Sequence, residues 1–426
     1  PTAVGASQVI TVANGNTVNL RADSSTVFTC GGIHPGTTIY FNVDQAASGI
    51  SGSTLTLNGP LTWSGAGTGV AAEGNNNYKL ALGDLFGGNG GSATLFADTA
   101  DLTINSYNGL GNSSSLIFMG SQNCAVLNGM TNAPGNKALG LVFNQTGTVT
   151  LWGPTVMANT GSAANSGFSV NSGTVILNDS GAASAVSASA TLGSSGFNAT
   201  LLLGGTDVNG LAGGVSMVRN IVVQDSGADP LILGGQNTSG TNIFAGNITL
   251  GATTDTGKSV TVLAVNGGEV DFTGNLLKNG ADTTAGVSLN DGTHGGTIKL
   301  LGANTYAGPT TVNAGKAAFS TLHAGGGDLS LADATTLFVT NAGNAASASF
   351  AALTLGSSGP TTNVFDNVAS TSIPLVNATG ALTINGSCTV VISSNNAITA
   401  VGAYPLIKYG SFTGTLPTLA ATPANF

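Results

Sequence analysis

Ser259-Val-Thr-Val-Leu-Ala-Val265 runs directly into Asn266-Gly-Gly268. A short alternating run rich in Val, Leu and Thr, closed by residues that tolerate positive φ, reads as a β-strand ending in a tight corner. The same unit recurs almost from end to end. Ser7–Val12, Thr54–Leu57, Thr174–Leu177, Thr200–Leu203, Asn220–Val223 and Thr297–Leu301 are further strands of the same kind. Asn-Gly steps at Asn14, Asn58, Asn108, Asn128, Asn209, Asn266, Asn279 and Asn385 mark corners between them. Strands come about every 8–12 residues, and no helical periodicity is sustained. The sequence predicts an all-β chain.

Composition narrows the architecture. Of 426 residues, 65 are Gly, 55 Thr, 42 Asn and 40 Ser, whereas only 6% are charged. Scarce Lys, Arg and Glu disfavour long helices. The 41% hydrophobic content is far above what a disordered chain carries. No apolar run approaches the roughly 20 residues of a membrane-spanning helix. β-Sandwiches in series would need more large aromatics than Trp63, Trp152 and a 6% aromatic share provide, and distinct linkers between them. The nearest stretch to a linker is the small-residue run 181–190. A β-solenoid fits better: turns of roughly 20–25 residues enclose a narrow aliphatic core, with Thr and Asn laddered outside.

Charge and cysteines exclude several functions. Eighteen acidic and nine basic residues give a net charge of −9 and are scattered singly, with only Arg21 and Arg219 able to fork onto a phosphate. Nucleic-acid binding is therefore not expected. Cys30, Cys124 and Cys388 form no Cys-x-x-Cys pair, which excludes a zinc-finger pattern. Two readings stay open for them. One is three buried apolar thiols. The other is a Cys30–Cys124 disulfide with Cys388 free or joining subunits. The chain opens at Pro1, without the charged and apolar regions of a leader, so removal of a secretory signal peptide is the expectation.

One segment is more specific than composition. Gly296-Thr-Ile-Lys-Leu-Leu-Gly-Ala-Asn-Thr-Tyr-Ala-Gly-Pro-Thr-Thr-Val-Asn-Ala-Gly-Lys316 resembles the autotransporter-associated β-strand repeat. Pro309 stands where that repeat has its second internal Gly. Leu300, Tyr306 and Val312 are expected to point inward, with Gly302, Gly308 and Gly315 at the corners. Residues 234–250, 268–274, 381–386 and 401–414 are similar to neighbouring parts of such passenger regions, so the resemblance covers about residues 230–415. It implies a secreted right-handed parallel β-helix: a solenoid over 161–426 and a divergent N-terminal β region or cap over 1–160. The C-terminal membrane barrel of autotransporters is not part of this sequence. Either a barrel has been cleaved or the repeats belong to a free secreted protein.

β-Helices also host polysaccharide-cleaving enzymes, which need converging carboxylates. The closest-spaced pairs are Asp225/Asp229 and Asp98/Asp101, and both sit among turn residues that commonly bond their own backbone. His34, His294 and His323 form no metal-ligand spacing. Gly325–Leu331 stands alone and lacks the glycine spacing of a calcium-binding repeat. Tyr306 reads as core rather than as a ligand platform. No catalytic, cofactor or metal residue is assigned, and no cofactor is expected.

The expectation is a non-enzymatic structural subunit of an extracellular filament, sheath or surface layer, self-assembling through solenoid ends or strand donation from 1–20. Its partner would be itself, with cell-surface polysaccharide the other candidate. The alternatives are a monomeric passenger-type adhesin rod that binds a host surface or polysaccharide, and a polysaccharide-degrading β-helix enzyme.

Overall fold

In the computed structural model the described residues are 5–63, 68–87, 91–109, 114–132, 139–156, 167–183, 188–194, 196–205, 214–224, 230–252, 258–343, 345–393 and 402–420. Among them there is no helix, and the strands pair in parallel with the strand one turn further along the chain. This is a parallel β-solenoid. The contacts divide it into two compact units, one mainly 1–202 and the other mainly 220–426, with 203–219 shared out between them. The run 181–190 belongs to the first unit.

The opening stretch shows how the sequence builds a turn. Its strand is Val260–Ala264, with Val260, Val262 and Ala264 buried and Thr261 and Leu263 at the surface. Side chains alternate across a strand, so each turn delivers one apolar stripe inward. Stacked turns then align identical positions. In the first unit one inward column runs Leu55, Leu80, Leu102, Cys124, Val149, Val175. The next runs Leu57, Leu82, Ile104, Val126, Leu151, Leu177. Burying one such side chain contributes about 1.5–3 kcal/mol.

The segment with the family-like repeat is one complete turn, which begins at Thr297 and returns to pair Lys316 with it. Leu300, Tyr306 and Val312 are buried, as the repeat implies. Gly302 and Gly308 lie at close approaches between turns, where an added Cβ would meet the carbonyl oxygens of Gly274 and Ala285. Other turns run well past the length expected from the sequence. Ile39 pairs with Val70 and Val376 with Ile407, much wider separations than that of Thr297 and Lys316. In the first of these, part of the excess lies in the loop 45–50, where the Asp23 carboxylate accepts the backbone N–H groups of Ala46, Ala47 and Ser48.

Corners are stitched by asparagine. Asn220 accepts the N–H of Asn247, Asn247 that of Asn275, and Asn275 that of Ala303, at 2.7–3.0 Å. Buried Asn290 closes a second corner, accepting from the Ala264 N–H and donating to the Gly296 and Ala314 carbonyls. Each replaces a ladder bond where the backbone leaves the sheet, which keeps buried polar groups satisfied.

The cysteine bridge is not formed: all three thiols are free and buried. Register explains why. Thr26 pairs with Leu55, Leu55 with Leu80, Leu80 with Leu102 and Leu102 with Cys124, so Cys124 stands four turns from the turn that carries Cys30. At ~4.8 Å per turn that is roughly 19 Å, far outside disulfide reach. Cys388 forms no disulfide within the chain. It is 2% exposed and accepts a hydrogen bond from Asn363 Nδ2 at 2.9 Å.

Candidate functional site

The outward positions carry whatever chemistry the fold offers, because the inward ones are taken by the core. In the second unit one outward column reads Thr261, Ser288, Thr311, Ser330, Thr354, Thr383, Thr413. It is an unbroken hydroxyl ladder with one group per turn. Thr311 donates to Ser288 at 3.3 Å, and Asn313 Nδ2 donates to the same hydroxyl at 2.8 Å. Such a face is flat, neutral and regular.

Another face of this unit gathers charge. Its outward column runs Thr241, Glu269, Thr297, Lys316, Thr336, Thr362, Thr389, Thr418. Beside it lie Asp271 and Lys299, themselves paired in register. Lys299 Nζ is 2.7 Å from Glu269 Oε1 and 3.7 Å from Asp271 Oδ1, and Lys316 Nζ lies 4.4 Å over the Phe338 ring. Burial acts to raise the Glu269 pKa. The hydrogen bonds from Lys299 and Thr241 and the two ammonium charges outweigh it and hold the group below the usual carboxylate range. Asp271 goes the other way: burial raises it beyond what Lys299 recovers, and the Glu269 charge adds to the rise. Two carboxylates pushed apart in this way resemble an acid–base pair. Lys299 sits between them, however, and the arrangement is that of a neutralised ion cluster.

The residues considered for catalysis do not converge. Asp225 and Asp229 lie outside the described residues. Asp101 is held by Lys79 at 3.4 Å and by Asn123, whereas Asp98 lies on a different surface feature, the notch described next. His34 is exposed, His294 is 2.9 Å from the Asp291 carboxylate, and His323 is buried against Tyr306, Phe319 and Phe350. Tyr306 is core, its hydroxyl 2.7 Å from Thr310 Oγ1. Among the described residues no three His, Cys, Asp or Glu side chains gather as a metal site.

Among the described residues of the first unit, one of the surface cavities combines aromatic and acidic side chains. It is a notch of about 260 Å³ lined by Thr38, Tyr40, Ala71, Glu73, Phe96 and Asp98 among others. Sequence reasoning missed it, because these residues are scattered from Thr38 to Asp98 and meet only through the stacking of three turns. Knowing the register would have revealed it: Tyr40, Ala71 and Phe96 form one outward column, large, small, large.

No protein family, no curated protein and no solved structure matches the chain.

Proposed function

We propose that the chain is a non-enzymatic structural subunit that self-assembles into an extracellular filament, sheath or surface layer. The observation that carries this reading is a pair of ladder edges that have no partner strand among the described residues. Among the described residues, Val9–Val12, Thr17–Arg21 and Thr26–Thr29 each pair with one strand only, on the side of the following turn. Among the same residues, Ile407–Lys408, Ser411–Gly414 and Thr418–Leu419 each pair with one strand only, on the side of the preceding turn. Within its own unit, and among the described residues, the first set lacks a partner on the side of the preceding turn and the second on the side of the following turn. The last described turn also leaves Leu416 75% and Leu419 58% exposed. An edge strand with an apolar surface is a template for another chain. A contact between unlike edges does not close on itself, so it propagates as a fibre. The neutral hydroxyl ladder supports the reading as well, since it sets no charge against a neighbouring subunit.

Electron microscopy of the purified chain, with and without Leu416→Asp and Leu419→Asp, tests the proposal. Filaments from the parent chain that are lost in the double variant, with the β-rich circular dichroism unchanged, support it. Isolated particles at every concentration would defeat it and favour the passenger-type rod suggested by segment 296–316.

A further inference from the structure

The notch on the first unit has a construction that the core does not need. Along its outward column the turns deliver Thr17, Tyr40, Ala71, Phe96 and Met119. Tyr40 and Phe96 are two turns apart, about 9.6 Å at ~4.8 Å per turn. Where consecutive turns each supply a ring, this fold stacks them at one-turn spacing, as Phe118 on Phe143 at 4.8 Å and Phe244 on Phe272 at 4.9 Å. At Ala71 the ring is missing. The next column repeats the omission: Gly69 lies between Thr38 and Thr94, and an added Cβ there would fall 3.2 Å from the Thr94 carbonyl and 3.4 Å from Thr38 Oγ1. The middle turn thus supplies a floor of small residues, with Ala71 4% exposed, between the aromatic side chains of Tyr40 and Phe96.

Charge selects what enters. Glu73 and Asp98 line the notch, and no basic side chain does. Glu73 follows Ala72 and Asp98 follows Ala97, the residues paired across these two turns, so the carboxylates come to the same edge. Like charges on adjacent strands destabilise a sheet unless something lies between them. The nearby cations are engaged elsewhere. Arg21 donates to the Asn19 and Asn42 side chains and to the Leu20 and Asn42 carbonyls, and Lys79 pairs with Asp101.

We infer that this notch is a binding site for a small organic cation of the quaternary ammonium class. Ring faces attract such a cation through their quadrupoles, and the two carboxylates neutralise it. The cavity lies below the range of drug-sized pockets and takes a head group of a few heavy atoms. An inorganic metal ion would gain from the oxygens but nothing from the rings. The inference is independent of the assembly proposal.

Calorimetric titration with choline tests it, alongside 3,3-dimethyl-1-butanol, the neutral isostere. Saturable choline binding is expected, at least tenfold weaker in Glu73→Gln and in Phe96→Ala, and undetectable for the neutral compound. Ala71→Phe restores the missing ring and should abolish binding with no loss of thermal stability. That result separates occupancy of the notch from unfolding. No saturable heat with choline, equal affinity for the neutral compound, or undiminished binding to Ala71→Phe would each overturn the assignment.

Discussion

Phe118 and Phe143, one turn apart, stack with ring centroids 4.8 Å apart and planes 12° from parallel. The ladder imposes that spacing, since both rings hang from paired backbone positions. Aromatic pairs add about 0.5–1.5 kcal/mol to the burial of their area. Phe143→Ala is expected to destabilise the chain by about 3–5 kcal/mol, with Phe143→Leu well below that. Denaturant unfolding of the two variants measures the difference. Equal losses would mean that retained aliphatic volume recovers nothing and that the ring stack carries the whole effect.

Burial sets the thiol chemistry. Cys124 occupies a Leu/Val column, and burial, helped by the Asp101 charge, pushes its pKa up to about 12. Burial also raises Cys388, against the hydrogen bond from Asn363. A thiol held protonated is a poor nucleophile. Ellman's reagent should therefore find almost no reactive thiol in the native chain and three after unfolding. The intact mass should show no loss of two hydrogens, and a reductant should leave the thermal midpoint unchanged.

The fold was legible because its signal is local. Val260–Ala264 alternates, Asn266-Gly267 closes it, and Gly267 takes the positive φ of 80° that the corner requires. What could not be read is register. Nothing near Cys124 says that it stands four turns from the turn of Cys30, and nothing near Ala71 says that Tyr40 and Phe96 flank it. One turn carries the chain from Thr297 to Lys316, and another carries it from Val376 to Ile407. Such unequal lengths make the partnerships irregular in sequence while they stay regular in space. The expected inward set Leu300, Tyr306 and Val312 was readable because it falls within a single turn.

Gly59 gives a direct test of that close stacking. A Cβ on Gly59 would lie 2.6 Å from Cys30 Sγ and 2.8 Å from the Cys30 carbonyl oxygen. Gly59→Ala is expected to destabilise by about 1–3 kcal/mol through overpacking. Cys30→Ala removes the sulfur contact and leaves the carbonyl contact, so the double variant should be more stable than the sum of the single effects by about 0.5 kcal/mol or more. Additive losses from a double-mutant cycle would show that the two turns relax apart instead.

His323 gives the fold an acid limit above that of its carboxylates. Its ring stacks on Phe350 at 4.8 Å and meets Tyr306 and Phe319 edge-on, and its Nδ1 has no hydrogen-bond partner. Burial lowers its pKa to about 4 from the ordinary value of 6.5. The unfolded chain therefore takes up the proton first as pH falls. Stability is complete above about pH 6.5 and drains away between 6.5 and 4, on the order of 3 kcal/mol by pH 4. The aspartates held low by hydrogen bonds, Asp291 and Asp333, contribute only further down, because their unfolded-state pKa lies near 3.8. His323→Phe keeps an aromatic ring in the cluster and removes the titration. Chemical unfolding at pH 7, 5.5 and 4.2 should show the parent chain losing stability stepwise and His323→Phe holding a plateau. Parallel curves for the two proteins would mean that His323 is not the group that titrates.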